Sequence, residues 1–168
     1  YFGEAGKTSA DPYFNGEGPT RTGCIHCGGC MTGCRYNAKN TLDKNYLYFA
    51  QRLGTDIFAE NEVIGVKPIN LEDGGDGYKI SMKSSTKLFG GRREVSAKGV
   101  IFSGGVLGTV KLLLKLKSTS LPLLSEMVGG DIRTNNETII SVSTLRDDLD
   151  MSKGVAIGSI LTTDKDSH

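Results

Sequence analysis

Val100-Ile101-Phe102-Ser103-Gly104-Gly105-Val106-Leu107-Gly108-Thr109 is the stretch on which the reading of the fold turns. A short continuous apolar run stops at Ser103 and a glycine pair, and beyond it Val106 to Leu116 carries leucine and valine at helical spacing. That order predicts strand, glycine turn, helix, with Lys111, Lys115 and Lys117 as a solvated helix face. Glycines at such a turn let backbone N–H groups and a helix N-terminus come close to a ligand. A full G-x-G-x-x-G fingerprint would need glycine at 103, where Ser103 stands, and Glu126 follows Leu121-Pro122-Leu123-Leu124 instead of a second strand. The stretch is therefore not a primary dinucleotide signature, and alone it serves equally well for tight strand-to-helix packing.

Upstream, Tyr78, Ile80 and Met82 alternate with Lys79, Ser81 and Lys83 behind the dense turn signal Asp73 to Gly77, which gives a half-buried strand with one wet face. Val63 to Val66, ended by Pro68, precedes it, and Arg92 to Ala97 follows the turn at Gly90-Gly91, so the three form an antiparallel meander. Asp56 to Ala59 reads as a further short strand. Lys39 to Leu53 reads as a helix with Leu42, Tyr46, Leu47, Ala50 and Leu53 on one stripe, Asn40 or Thr41 as cap and Gly54 as stop. Downstream, Leu121-Pro122 closes the second helix and Gly129-Gly130 marks a loop. Thr138 to Thr144 and Gly154 to Leu161 then read as a hairpin of a different sheet, across the acidic linker Arg146 to Asp150. Residues 1–23 carry Asp11-Pro12 and Gly16-Glu17-Gly18-Pro19 without a period and read as an extended lead-in. The class is α/β.

At 168 residues the chain is long enough for one core. Its 23 glycines, about twice the usual ~7%, follow no three-residue period and point to turns and close approaches. Twenty Lys and Arg against 19 Asp and Glu give a net charge of +1, which argues against a dedicated nucleic-acid binder. No apolar run approaches the ~18 residues a membrane span needs, no repeat is present, and no leader is visible. The opening at Tyr1 leads to the expectation of a piece of a longer protein, and the compartment is left open.

All four cysteines fall within Cys24-Ile-His-Cys27-Gly-Gly-Cys30-Met-Thr-Gly-Cys34. Crowding on that scale speaks for metal or redox chemistry more than for a disulfide framework. The spacing C-x2-C-x2-C-x3-C is that of bacterial ferredoxins, in which the fourth cysteine serves a second cluster. Here Arg35 replaces the usual proline and no fifth cysteine exists, so on that pattern a cluster would need a ligand from elsewhere. A zinc site using His26 would ordinarily draw its ligand pairs from two separated stretches. The cysteines are read first as thiols of a glycine-rich loop, with no metal. An iron–sulfur electron-transfer module on Cys24, Cys27, Cys30 and Cys34 is the alternative function, and a structural zinc domain is a third. His26 and His168 are read as loop or surface residues, and Asp147, Asp148 and Asp150 as an acidic turn.

Several segments, taken in order, resemble the glucose–methanol–choline (GMC) flavin oxidoreductases, and among them the cholesterol-oxidase-like branch. Asn37 to Leu47 is similar to that branch's helix after the flavin-covering loop, and Asp56 to Val63 to the strand pair behind it. Ser103 to Leu113 is similar to the family's second glycine turn and helix, and Leu121 to Gly129 with Asn135-Asn136 to its passage into the substrate domain. The resemblance runs from about residue 11 to 161. It implies an α/β fold containing part of an FAD-binding domain of the glutathione-reductase type, and the beginning of an antiparallel-sheet substrate domain. On that reading residues 1–39 are an extended cysteine-containing region, 40–130 part of the FAD domain, and 131–168 the start of the substrate domain. The implied reaction moves hydride from an alcohol to FAD. Val63 matches the position whose backbone lies near the adenine, Gly104, Gly105, Gly108 and Thr109 match the turn lining the flavin, and Asn135 and Asn136 match residues on the substrate side. The family's pyrophosphate-binding glycine motif and its late His/Asn pair have no counterpart here. No catalytic residue is expected in this chain, its partners are a small-molecule alcohol and the remainder of the same enzyme, and alone it is expected to be inactive and to expose an apolar face.

Overall fold

The computed structural model describes residues 1–133, 140–141, 143–150 and 152–158. The chain divides into two units, Tyr1–Ile57 with Ser141–His168, and Phe58–Ile140. Among the described residues it is a mixed α/β chain with two antiparallel sheets.

The second unit is built on the meander. Strands β3 (Asn61–Pro68), β4 (Tyr78–Ser84) and β5 (Arg92–Ala97) pair antiparallel in the order β3-β4-β5. Val66, Ile80 and Val95 stand in register, so the alternation read from the sequence puts Ile80 and Met82 into the interior. The opposite face is wet, and there Glu62 meets Lys83 at 3.0 Å while Glu94 accepts from Ser81 at 3.0 Å. A register shift between Val63 and Gly65 bends the edge strand. Helix α2 (Val106–Lys117) lays Leu112 and Leu116 against the core of Val66 and Ile80, with Val100, Phe102 and Leu121 at its border. Two side chains from the helix region fasten it to the sheet. Lys115 donates to the Ile64 carbonyl at 3.1 Å, and the Ser120 hydroxyl donates to the Val66 carbonyl. The lysines expected as a solvated face are thus partly engaged, Lys117 pairing with Glu126 at 2.7 Å.

Two expected strands are absent from this part of the chain. Val100 to Phe102 is not a strand: Val100 and Phe102 pack on the core while Ile101 is 92% exposed, and no described strand lies beside them to complete a ladder. The apolar run records burial without pairing. Asp56 to Ala59 likewise forms no strand. The Thr55 N–H turns back to the Ala50 carbonyl at 3.0 Å, and the Phe58 ring lies under the Arg93 guanidinium at 4.0 Å.

In the first unit the stretch expected as a featureless lead-in contains a two-rung ladder, β1 (Thr8–Ser9) against β2 (Arg21–Thr22). Asp11 organises the loop between them, accepting from the N–H groups of Tyr13, Phe14 and Gly18 at 3.0, 2.7 and 3.1 Å. The helix expected over Lys39 to Leu53 is shorter and broken. A 3-10 turn at Leu42–Lys44 precedes α1 (Tyr46–Arg52), and Asn45 separates them because its side-chain oxygen caps α1 by accepting from Tyr46 N. Thr41 makes no side-chain cap, and Asn40 is engaged by Arg21. The apolar stripe does not face a core, since Leu42, Tyr46 and Leu53 are exposed. Helix α1 is anchored instead through Phe49, edge-on to Phe14 at 4.9 Å. Among the described residues of the expected hairpin at 138–144 and 154–161 there is no strand; Gly154 forms an isolated bridge with Cys27, and the remaining positions lie outside the described residues. No helix among the described residues is long and apolar enough to cross a membrane.

Leu116→Ala is expected to destabilise the second unit by about 2–5 kcal/mol through loss of buried volume, while Leu107→Ala, at an 83% exposed position, changes it by less than about 0.5 kcal/mol. Urea unfolding of both variants checks this, and equal midpoints would remove Leu116 from the core. Burial opposes the charge of Asp11, but the N–H donors of Tyr13, Gly18 and Phe14 outweigh it and hold its carboxyl below the usual range. Its stabilising share is therefore complete above an ordinary Asp pKa of about 3.9 and is lost as pH falls through the lower native value. In acid titrations of thermal stability, Asp11→Asn is expected to show a shallower fall below that point than the unsubstituted chain.

Candidate functional site

In the second unit, a groove of about 690 Å³ opens between the edge strand and α2. Val63 reaches it from β3, Phe102 and Gly104 from the segment before the helix, and Gly108 and Thr109 from the helix's first turns. Of the five residues singled out for a cofactor, four thus share one groove, and Gly105 stands beside it in the turn without lining it. Gly105 has φ +82°, a backbone conformation that favours glycine, and open space surrounds the position a Cβ would take. Gly108 also has nothing within 4 Å of that position. Helix α2 begins without a side-chain cap and without an acidic residue in its first turn, so its N-terminal N–H groups are available to an acceptor. Lys83, Lys111 and Lys115 line the same groove; Glu62, also in its lining, pairs with Lys83, so the net positive charge there is that of Lys111 and Lys115. The surface as a whole can take a ligand with a flat apolar part and anionic or carbonyl oxygens. Asn135 and Asn136 lie outside the described residues, as does His168.

A second concavity lies in the first unit, where all four cysteines line one cavity of about 230 Å³. The chain entering the cysteine loop is pinched against the chain leaving it. Thr22 N donates to Asn37 O at 3.3 Å, Asn37 Nδ2 to Thr20 O at 2.9 Å, and Cys24 N to Tyr1 O at 3.0 Å. Arg21 forms the floor of this neck. It is fully buried, and its guanidinium donates to Lys39 O at 3.4 Å, Asn40 Oδ1 at 2.7 Å and Lys44 O at 2.8 Å, with the Tyr13 ring 5.5 Å away. Its Nε has no partner among the described residues. Nothing about an arginine between two threonines marks it as a core residue, so sequence reasoning passed it over. The loop's far side is closed by Gly28, whose N–H donates to Gly154 O at 2.9 Å, and by Gly154 N donating to His26 O at 2.8 Å. A Cβ on Gly28 would overlap the Ser152 carbonyl, so glycine is required there on space as well as on its φ of +69°.

All four cysteines are free thiols. Two receive backbone hydrogen bonds, Cys24 Sγ from His26 N and Cys34 Sγ from Ala38 N, each at 3.4 Å. Burial pushes the Cys34 thiol up, but the N–H groups of Lys39, Ala38 and Tyr36 and the charge of Lys44 prevail and hold it below its ordinary value. Among the described residues no three His, Cys, Asp or Glu side chains converge closely enough for a single metal ion. The acidic turn is internally paired: Arg146 Nε donates to Asp148 at 2.9 Å, holding its carboxyl low, and Ser152 and Lys153 do the same for Asp150.

No family model matches the chain, and no solved structure matches it. Curated relatives do. The chain is 52% identical to a cholesterol oxidase of Acinetobacter baumannii over 98% of its own length and 30% of the relative's. It is 42% identical to cholesterol oxidases of two Mycobacterium tuberculosis strains, CDC 1551 / Oshkosh and H37Rv, over 97% of its length and 28% of theirs. The chain therefore spans less than a third of the curated relatives it matches. Over nearly its whole length the chain is similar to one segment of these cholesterol oxidases.

Arg21→Met removes the guanidinium donors and takes from Lys39 O, Asn40 Oδ1 and Lys44 O the hydrogen bonds they accept from it, at a cost of about 1–3 kcal/mol in all after relaxation. Melting of the first unit is expected to shift down and thiol titration of the four cysteines to speed up, and Arg21→Lys does not rescue, because one ammonium cannot span the three acceptors. Unchanged thiol kinetics in Arg21→Met would show that the neck does not depend on it.

Proposed function

We propose that this chain supplies part of the flavin-binding half of an FAD-dependent oxidoreductase acting on alcohols, and that the groove beside α2 is its share of the cofactor site. The observation that carries this reading is the convergence of Val63, Gly104, Gly108 and Thr109 on one groove. The residues fit the group. Glycine at 104, 105 and 108 leaves the backbone bare where a ring system would press against it, the uncapped start of α2 offers N–H donors to its oxygens, and the charges of Lys111 and Lys115 balance its phosphates. Bound there, FAD would supply the hydride acceptor for oxidation of a CH–OH group. The chain's own residues bind and orient: the Val63 backbone beside the adenine, the glycine turn along the flavin, and the Thr109 hydroxyl as an adjustable donor or acceptor.

In this reading residues 40–130 belong to the cofactor domain and 131–168 lead toward the substrate sheet, with Asn135 and Asn136 on the substrate side. The catalytic groups lie in the rest of the enzyme, and the segment alone is inactive. Exposed Ile101 and Leu107, beside the glycine turn, offer apolar surface to that remainder. The relatives' shared name supports a sterol as the alcohol.

Gly108→Leu tests the assignment without threatening the helix, since a side chain there meets open space and leucine is a better helix former than glycine. In the full-length enzyme, flavin affinity is expected to fall at least about tenfold, or about 1.4 kcal/mol, with the melting temperature of the flavin-free protein unchanged or raised. Released flavin fluorescence per chain measures it. Full flavin content in the variant would move the cofactor away from this groove.

A further inference from the structure

We propose that Cys24, Cys27, Cys30 and Cys34 together hold one cuboidal iron–sulfur cluster in the cavity that all four line. This is a site additional to the flavin groove and does not rest on it. The spacing C-x2-C-x2-C-x3-C is that of cluster-binding ferredoxins, but in the two-cluster members the chain runs on and delivers the fourth cysteine elsewhere. Here it is turned back. His26 (φ +57°), Gly28 (φ +69°) and Gly33 (φ +104°) reverse the backbone around a 3-10 turn at Gly29–Met31, and the neck at Thr22 and Asn37 returns the chain beside its entry point. Cys34 thereby faces the same space as the first three, and the absence of a fifth cysteine ceases to be an obstacle.

The surroundings suit a cluster better than the other occupants. A single zinc ion, with Zn–S bonds of about 2.3 Å, needs its sulfurs about 3.8 Å apart, and no such convergence occurs among the described residues. A cuboidal core carries its four thiolates on separate corners and holds them farther apart, as a cavity of about 230 Å³ allows. All four thiols are free, so no disulfide competes for them. The walls are apolar, with Phe2, Ile25, Tyr36 and Val155 around the sulfurs. Backbone N–H groups already point at two of the sulfurs, those of His26 and Ala38, and Lys39 places its ammonium at Cys30 O, 3.0 Å away, where it offsets the charge of thiolate ligands. Hydrogen bonds to sulfur, net charge and shielding from solvent are the terms by which a protein stabilises and tunes such a cluster.

The test uses the full-length protein that carries this chain, purified without oxygen. Iron and acid-labile sulfide are measured per chain, since neither is contributed by flavin, and a paramagnetic signal is sought after reduction with dithionite. The expected result is roughly four iron and four sulfide per chain, falling to about a tenth or less in both Cys27→Ser and Cys34→Ser. Should the serine variants fail to fold, reconstitution of the unsubstituted protein with ferrous iron and sulfide reads the same site. Absence of iron and sulfide both as purified and after reconstitution overturns the proposal, as does stoichiometric zinc in their place. Full cluster content in Cys34→Ser overturns the four-ligand assignment.

Discussion

A buried guanidinium holds the first unit together. Arg21 is wholly withdrawn from solvent, and its hydrogen bonds run to two main-chain carbonyls and one amide oxygen, with no carboxylate among them. Such a group is costly to bury unless its donors are satisfied in fixed directions. Here those directions are set by Lys39, Asn40 and Lys44, residues on the far side of the cysteine loop. The planar fork of arginine thus joins the start of the loop to its end, and everything between them is held as a closed excursion. Asp11 does the corresponding work one turn earlier, where its carboxylate gathers three N–H groups and stands in for a strand partner.

The second unit depends on a different constraint, the fit of one helix face to one sheet face. Leu116 and Leu112 lie on Val66 and Ile80, and the register of three strands places those side chains on the same side. The glycine turn before the helix is open to solvent and carries none of this packing. Conformational freedom at Gly104 and Gly105 is therefore available for a ligand without being consumed by the fold, so packing and approach are separated at the groove.

Much of this was legible in the sequence, and the gaps have identifiable causes. The period-two alternation from Tyr78 to Met82 and the helical spacing after Gly105 each reflect a single buried face, and both elements form as read. Periodicity misled where a local side chain had a competing bond to make: Asn45 caps a helix that begins at Tyr46, inside the Lys39 to Leu53 stretch expected to be one helix. Apolar content misled at Val100 to Phe102, where Val100 and Phe102 pack on the core without a strand partner, and at Asp56 to Ala59, where Phe58 is taken up by the Arg93 guanidinium instead of a ladder. Four of the five cofactor candidates converge: Gly104, Gly108 and Thr109 flank one glycine turn, and the packing of the helix beside β3 brings Val63 to the same groove. Arg21 left no mark at all. Nor could spacing show that Cys34 turns inward, since that depends on contacts with Gly154 and Asn37, remote from the motif or just past it.

The edge strand β3 has one further consequence. Strand β4 occupies one of its sides, and the carbonyls of Ile64 and Val66 are already taken by Lys115 and Ser120 from the helix region. A sheet whose margin is spoken for cannot accept another strand there without first displacing the helix. Addition of a strand is steered to the other margin, β5, where Arg92, Arg93 and Glu94 stand in succession and charge discourages indiscriminate pairing. The meander is thus a sheet with a single permissive border, and any strand joining it must bring charges that match that border.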